Sequence, residues 1–413
     1  MADCENIKDD VKIAYLAPEM PALSATFVYQ EILQLKKMGL CIIPISVHRP
    51  VDSAQSDKLK ELEQESFYLY EQSRVSTLLR NIFLAVSSPV KYLSAFFLAI
   101  SDSLNVGIMN HIGKGLLYRF FMAASLVHYL RKKDITHIHS NFAHIPTDIA
   151  MYAAALHGVT FSFQSHANDL FERGWLLREK VARAKFAVTI SEYNKQFLLN
   201  KGATEKKVHV IHCGVDTNDF SCREPHEFAN PPLLGALGRM VEKKGFDVLI
   251  KACDLLRKDG VMFKLQIAGG GPLKSDLEKL ASSLELSESI EFIDSISHKN
   301  VPDWIKSLDV FVLPCKKDKQ GDMDGIPVVL MEAMLSGVPV VTSRISGIPE
   351  LVIDGVTGLL CDENDAISLA GKIKTMITNV ELRDDLCKKA VVKVRSEFEL
   401  QSNVKMLAEK FLK

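Results

Sequence analysis

The sequence predicts an α/β protein of two Rossmann-like, doubly wound domains in series. Short β-branched apolar runs alternate with amphipathic stretches from residue 11 to about 200. The alternation lapses at the polar, proline-bearing REPHEFANPPL (223–233), and it then resumes. A length of 413 residues suits two domains of ordinary size, with the boundary expected at 228/229 and the second domain ending near 398.

In the first domain VKIAYLAP (11–18) reads as a buried strand. TFVYQEILQLKKMG (26–39) has apolar residues at helical spacing and stops at Gly39. CIIPISV (41–47), THIHSNF (136–142), TFSFQSH (160–166) and FAVTIS (186–191) are further strands, with helices such as PTDIAMYAAALHG (146–158) between them. In the second domain LLGALGR (233–239), FKLQIAGGG (263–271), IEFIDS (290–295) and DVFVLPC (309–315) are strands. FDVLIKACDLLRKDG (246–260), LKSDLEKLASSL (273–284) and VPDWIKSL (301–308) are the helices between them. LMEAMLSG (330–337) is rich in good helix formers and ends at a glycine cap, and VPVVTS (338–343) is a buried parallel strand. Ligands of such sheets bind at the carboxyl ends of the strands, so a shared crevice is expected there.

Composition excludes several classes. With 47% hydrophobic and 24% charged residues the chain is an ordinary folded protein, and its net charge of −1 advertises no nucleic-acid partner. The 8 cysteines are scattered without a CxxC pair or a histidine at ligand spacing, which points to reduced thiols and a cytoplasmic protein. MADCENIKDD has no apolar core, so no signal peptide is expected. NIFLAVSSPVKYLSAFFLAI (81–100) is interrupted by Pro89 and Lys91 and is not expected to span a membrane. No G-x-S-x-G, HExxH or GK[ST] occurs, which leaves hydrolase, zincin and P-loop readings unsupported.

Four stretches carry candidate chemistry. GDMDGIPVVLMEAMLSGVPVVTS (321–343) places Asp324 before a helix and Glu332 within it, in an apolar setting where a carboxylate is costly unless something polar satisfies it. Taken alone, that window is equally compatible with a turn acid and a solvated helix position. GRMVEKKGF (238–246) joins a strand end, basic residues and a helix start, an arrangement that binds anions through Arg239 and Lys244 or else makes a solvated basic turn. QSHANDL (164–170) puts His166 at a strand end beside Asn168 and Asp169, where a histidine is more often structural. PALSATF (21–27) offers Ser24 and Thr26 as an N-cap and a second phosphate contact. IAGGGPLK (267–274) lacks the third glycine of a dinucleotide fingerprint and reads as a tight turn admitting a ligand or the other domain.

Together GR...KKG, LQIAGGGP, VPDWIKSLDVFVLP, the Asp324–Glu332 pair and SGIPELVIDGVTGLL (346–360) resemble the retaining nucleotide-sugar glycosyltransferases of family 4. SHANDL, TISEYNK and VIHCGVDTNDF are weaker echoes in the first domain. SATFVYQEI, HIHSNFA and GDMDGIPVVLMEAM are most similar to the subgroup that builds exopolysaccharide and colanic-acid-type repeat units on a lipid carrier. The resemblance implies the GT-B fold, two Rossmann-like domains facing each other across a cleft, with a C-terminal helix of about 399–413 packing back on the first. It also implies a UDP- or GDP-sugar donor and a lipid-linked saccharide acceptor.

By the same resemblance, Glu332 holds the ribose hydroxyls. Asp324 and the backbone amides of Gly325, Ile326 and Val328 face the donor sugar, Arg239 and Lys244 neutralise the diphosphate, and His166 touches the sugar from the first domain. The family usually has Glu where this chain has Asp324. Asp322-Met323-Asp324 is similar to the Asp-x-Asp metal site of the other glycosyltransferase fold, but with Arg239 and Lys244 supplying counter-charge neither a metal nor any other cofactor is expected. A GT-B sugar-nucleotide epimerase and a non-catalytic sugar-nucleotide-binding protein are the alternatives.

From Ser73 to Lys133 there are eight Lys/Arg against one acid, Asp102, amid NIFLAV, YLSAFFLAI and YRFFMAASLVHYL. Residues 73–133 are expected to form helices that dock on the inner leaflet, making the protein peripheral on the cytoplasmic face of the membrane. The competing expectation is that these apolar residues pack into the first domain.

Overall fold

The computed structural model describes residues 11–22, 25–50, 57–224 and 227–413. The chain forms two compact units. The first runs to Ile211 and takes back Val404–Lys413; the second is His212–Asn403.

The first unit is built on a seven-stranded sheet of β1 (Lys12–Glu19), β2 (Cys41–His48), β3 (Phe67–Tyr68), β4 (His137–Asn141), β5 (Thr160–Ser165), β6 (Ala187–Thr189) and β7 (Val208–Val210), in the order β3-β2-β1-β4-β5-β6-β7. The second has six strands, β8 (Leu233–Leu237), β9 (Lys264–Ala268), β10 (Ile290–Ile293), β11 (Val310–Leu313), β12 (Val340–Ser343) and β13 (Leu359–Cys361), in the order β10-β9-β8-β11-β12-β13. Neighbouring strands pair in parallel, so helices cross over on the sheet faces; the central strands are buried on both sides, apolar in β11 and largely polar in β4. The order reverses between β1 and β4 in one sheet and between β8 and β11 in the other, and these reversals are where a parallel sheet opens a crevice. The expected strands and helices are all present. The short edge strands β3, β7 and β13 were not anticipated, because two or three residues carry no legible period.

The division falls at 211/212 rather than 228/229. Residues 212–224 fall in the first domain by the sequence reading, yet their backbone is anchored in the second unit: Val215 N–H donates to Phe398 O (2.9 Å) and Leu400 N–H donates to Val215 O (3.0 Å). The Arg223 guanidinium donates to the carbonyls of Leu308 and Lys306. In the first unit Phe411 of the terminal helix packs on His137 and Phe186, and Lys410 reaches His209.

Helices Arg74–Ser87, Pro89–Val106 and His111–Leu130 form a layer on the first unit, the first two bent by 120° at Ser88, where Pro89 starts a new helix. No single helix among the described residues is long and apolar enough to cross a membrane. The charges of this layer are partly spent inside. Arg119 pairs with the buried Asp148 (3.0 Å), which also holds the fully buried Lys180 (2.9 Å), and Asp102 pairs with Arg183 (2.6 Å).

In the second unit backbone meets backbone at the strand ends. A Cβ on Gly269 (φ +131°) would lie 2.2 Å from Gly238 O, and one on Gly271 (φ +150°) 2.7 Å from the Met240 backbone. The glycine run thus admits the end of β8 itself. At Gly245 (φ +68°) a Cβ would fall 1.9 Å from Pro314 O, tying the turn after β8 to the end of β11. Gly260 (φ +73°) has the same handedness with nothing within 4 Å. Gly260→Ala should therefore cost only the left-handed backbone penalty, roughly 1–2 kcal/mol. Gly245→Ala should cost more than twice that, and equal urea midpoints for the two variants would contradict the close approach.

Candidate functional site

Two loops leave the same end of the second sheet at its reversal point: the Glu242–Lys244 turn after β8 and the loop carrying Asp322 and Asp324 after β11. They are joined by charge. Lys244 Nζ lies 2.6 Å from Asp324 Oδ2, and Lys243 Nζ lies 2.8 Å from Asp322 Oδ2 and 3.5 Å from Asp324 Oδ1. Burial opposes ionisation of Asp324, but Lys244 and Lys243 outweigh it and hold the carboxyl below its ordinary range. Burial likewise works against the charge on Lys244, and Asp324 more than restores it. Two ammonium groups thus face two carboxylates and largely cancel. The sequence reading had picked Lys244 and passed over Lys243, although a KK pair facing a DxD run was the available signal.

Arg239 is exposed and finds no partner among the described residues, so it is the cation of this turn whose charge is unspent. The N–H groups of Gly325, Ile326 and Val328 donate to no acceptor among the described residues, and Pro327 between them has no donor to offer. They lead into helix Val328–Leu335, whose N-terminus carries no side-chain cap.

Glu332 lies in that helix at 8% exposure, and its carboxyl has no hydrogen-bond or ionic partner among the described residues. Burial pushes it up to about 7. A buried acid left unpaired lowers stability, so a carboxyl kept there in a well-packed helix marks a place where a ligand supplies the missing partner.

In the first unit His166 follows β5 and sits between the rings of Phe27 (4.6 Å) and Phe142 (4.8 Å). Asp169 holds its loop, accepting from the N–H groups of Ala143 (2.7 Å), Ala167 (2.9 Å) and His166 (3.0 Å). Asn141 Nδ2 donates to the Tyr15 hydroxyl (2.8 Å), which donates in turn to Glu31, so Asn141 presents Oδ1 to His166 Nε2 (2.6 Å) and that nitrogen carries the hydrogen. Burial pushes His166 down to about 3 and Glu31 up to about 7, leaving the imidazole neutral. Glu31 escaped the sequence reading because it lies within an apolar-periodic helix. Thr26 is the first residue of helix Thr26–Lys37, whose N-cap is Ala25, so it does not cap that helix; Ser24 lies outside the described residues.

Known proteins of similar sequence are glycosyltransferases. The family model Glycosyltransferase Family 4 matches residues 103–219 and the model Glycosyl transferases group 1 matches residues 219–392. A glycosyltransferase of Escherichia coli K12 named for colanic acid biosynthesis is 35% identical over 258 residues, 60% of this chain and 61% of that protein. A protein of Mycolicibacterium smegmatis named as a GDP-mannose-dependent α-(1-6)-phosphatidylinositol monomannoside mannosyltransferase is 31% identical over 46% of this chain and 52% of its own. The chain thus aligns with less than two thirds of the length of these relatives. Among solved structures, HepE from Anabaena in complex with UDP has the same fold, with a TM-score of 0.70 at 17% identity over 97% of this chain and 99% of that one.

The Glu332 carboxyl makes a stability prediction. Its folded value is raised from 4.5 to about 7, so the folded protein holds a proton that the unfolded chain releases earlier. The resulting stabilisation is complete below pH 4.5 and is lost as pH rises through about 7, a difference on the order of 3 kcal/mol. Glu332→Gln should match the wild-type melt near pH 4.5 and exceed it at pH 8; equal melts at pH 8 would show that the carboxyl is not buried unpaired.

Proposed function

We propose that this chain, which belongs to the GT-B glycosyltransferases, transfers a hexose from a UDP- or GDP-sugar to a growing, lipid-linked polysaccharide acceptor with retention of anomeric configuration. The observation that carries the reading is the unpartnered, nine-tenths-buried Glu332 in the segment that also bears Asp324 and the unused amides. A ribose diol offers two hydroxyl donors to such a carboxylate. The unspent Arg239 suits the diphosphate, where negative charge develops as the glycosidic bond breaks, and Lys244, paired with Asp324, fixes the loop beside it. The N–H groups of Gly325, Ile326 and Val328 suit the oxygens of the donor sugar, with Asp324 held in place by its lysines. The acceptor hydroxyl forms the new bond at the anomeric carbon as the bond to the diphosphate breaks. The electron pair stays on the diphosphate, and the hydroxyl proton leaves with it.

His166, neutral and with its Nε2 hydrogen committed to Asn141, serves in hydrogen bonding and packing rather than proton transfer. Transfer needs no metal in this reading, because the two acids of the DMD run that a divalent cation would require each hold a lysine. The colanic acid relative supports a polysaccharide acceptor, the mannosyltransferase relative a lipid-linked one and a GDP-linked donor, and the UDP complex a UDP-linked donor. The site of action is the cytoplasmic face of the membrane.

A panel of UDP- and GDP-sugars tests the reading, with release of nucleoside diphosphate as the signal. One donor should turn over, Arg239→Ala should weaken nucleoside diphosphate binding at least tenfold with an unchanged melt, and NMR of the first product should show the donor's anomeric configuration. Turnover of none, a C2 epimer as sole product, or unaltered binding by Arg239→Ala would overturn it. Activity should survive EDTA; loss restored by Mg²⁺ or Mn²⁺ would overturn the metal-free assignment. Binding should require ionised Glu332, so nucleotide affinity should fall as pH drops below about 7, approaching tenfold per unit, and Glu332→Gln should flatten that slope.

A further inference from the structure

Helix Arg74–Ser87 turns most of its large apolar residues outward. Its large apolar residues Val75, Leu78, Leu79, Ile82, Phe83 and Val86 follow helical spacing, and each is more than half exposed. The inward face carries Leu84, buried in the core, and the buried polar Asn81, whose amide donates to Phe121 O (3.1 Å) and accepts from the Tyr92 hydroxyl (3.1 Å). The inner face is thus filled by Leu84 in the core and by Asn81 with its hydrogen bonds, and the outward stripe is a second apolar face that the unit leaves uncovered. The next helix continues the pattern with Val90 (77% exposed), Leu93 (52%) and Phe97 (64%) turned outward. A soluble monomer seldom exposes a continuous apolar patch beyond a few hundred Å² without a partner.

The stripe runs into a basic cleft. Phe83 meets His128 edge-on (5.7 Å between centroids) and lies under the Arg131 guanidinium (5.8 Å). His128 lines a cleft of about 320 Å³ with Phe67, Arg80, Tyr129, Lys132 and Lys133. Arg80 is anchored by Gln72 (3.1 Å) and Ser125 (2.8 Å), and no carboxylate among the described residues neutralises it. His128 Nδ1 is buried without a hydrogen-bond partner. The one acid between residues 73 and 133, Asp102, is buried and paired with Arg183, so the exposed charges that these helices themselves contribute around the stripe are positive.

We propose that this layer docks on an anionic phospholipid surface, the stripe of helix Arg74–Ser87 entering the headgroup–acyl boundary and the Arg80–Lys132–Lys133 cleft holding a lipid phosphate. Charge decides among occupants, because a second copy would bring the same uncompensated cations against this face, whereas an anionic lipid supplies both the apolar chains and the missing charge. The docking is accordingly hydrophobic at its centre and electrostatic at its rim, unlike the charge-driven attachment expected from composition. It rests on the proposed function only for its use, bringing the enzyme to a lipid-linked acceptor.

The test is flotation of the full chain with phosphatidylcholine vesicles with and without 30 mol % phosphatidylglycerol, at low and high salt, alongside calorimetry of nucleoside diphosphate binding. Wild type should float with the anionic vesicles and keep part of its binding at high salt. Leu78→Glu with Ile82→Glu, both at exposed positions, should lower the bound fraction at least tenfold at either salt with an unchanged melt. Lys132→Glu with Lys133→Glu should lose mainly the component that salt also removes. Wild type left in solution beside anionic vesicles would overturn the proposal, as would stripe variants that float like wild type, or light scattering that shows a dimer dissolved by the stripe substitutions. Flotation without nucleotide binding would sink the transferase reading and leave the docking standing; nucleotide binding without flotation would do the reverse.

Discussion

The close approach of backbone to backbone at the reversal point of the second sheet is the constraint on which the candidate site depends. Gly269 and Gly271 let the end of β9 lie against Gly238 and Met240, and Gly245 lets the turn after β8 press on Pro314. With these contacts made, the turn bearing Lys243 and Lys244 and the loop bearing Asp322 and Asp324 must leave side by side. The ion pairs between them follow from that placement. They do not create it, because partly exposed pairs contribute too little to hold two loops against alternative paths.

The charge arrangement then separates groups that hold structure from groups held in reserve. Lys243, Lys244, Asp322 and Asp324 neutralise one another and define the loop, whereas Arg239, the amides of Gly325, Ile326 and Val328, and the Glu332 carboxyl are left without partners among the described residues. A fold that satisfies buried polar groups nearly everywhere has left an acid, a cation and a set of donors open in neighbouring stretches of chain. The buried Glu332 lowers the stability of the empty protein, and together the open groups suit a ligand with hydroxyls, a diphosphate and further oxygens.

The first unit shows the same economy turned outward. Its cations are not one population: Arg119 and Lys180 sit inside on Asp148, and Arg183 on Asp102, while Arg80 and Lys132 line a cleft. The inner face of helix Arg74–Ser87 is held by Leu84 in the core and by Asn81, which finds both Phe121 and Tyr92, while a second apolar face points away from the unit.

What the sequence determined by itself was local and periodic. The alternation of strands and helices, the helix stop at Gly337, the placement of Asp324 before a helix and Glu332 within it, and the helical character of residues 74–130 all rest on spacing and on residues with strong backbone preferences. The edge strands β3, β7 and β13 were too short to leave such a trace, and polar residues 212–224 concealed a backbone bound to Phe398 and Leu400 far along the chain. Tertiary structure alone decided which charges are spent: that Lys243 joins Lys244 on the two aspartates, that Arg119 is buried on Asp148 while Arg80 is not neutralised, that Glu31 lies at the end of a hydrogen-bond chain reaching His166, and that an apolar stripe faces out. The physical reason is that the ionic and hydrogen-bonding state of a side chain depends on groups tens to hundreds of residues away, and those distances exist only after the strands have paired.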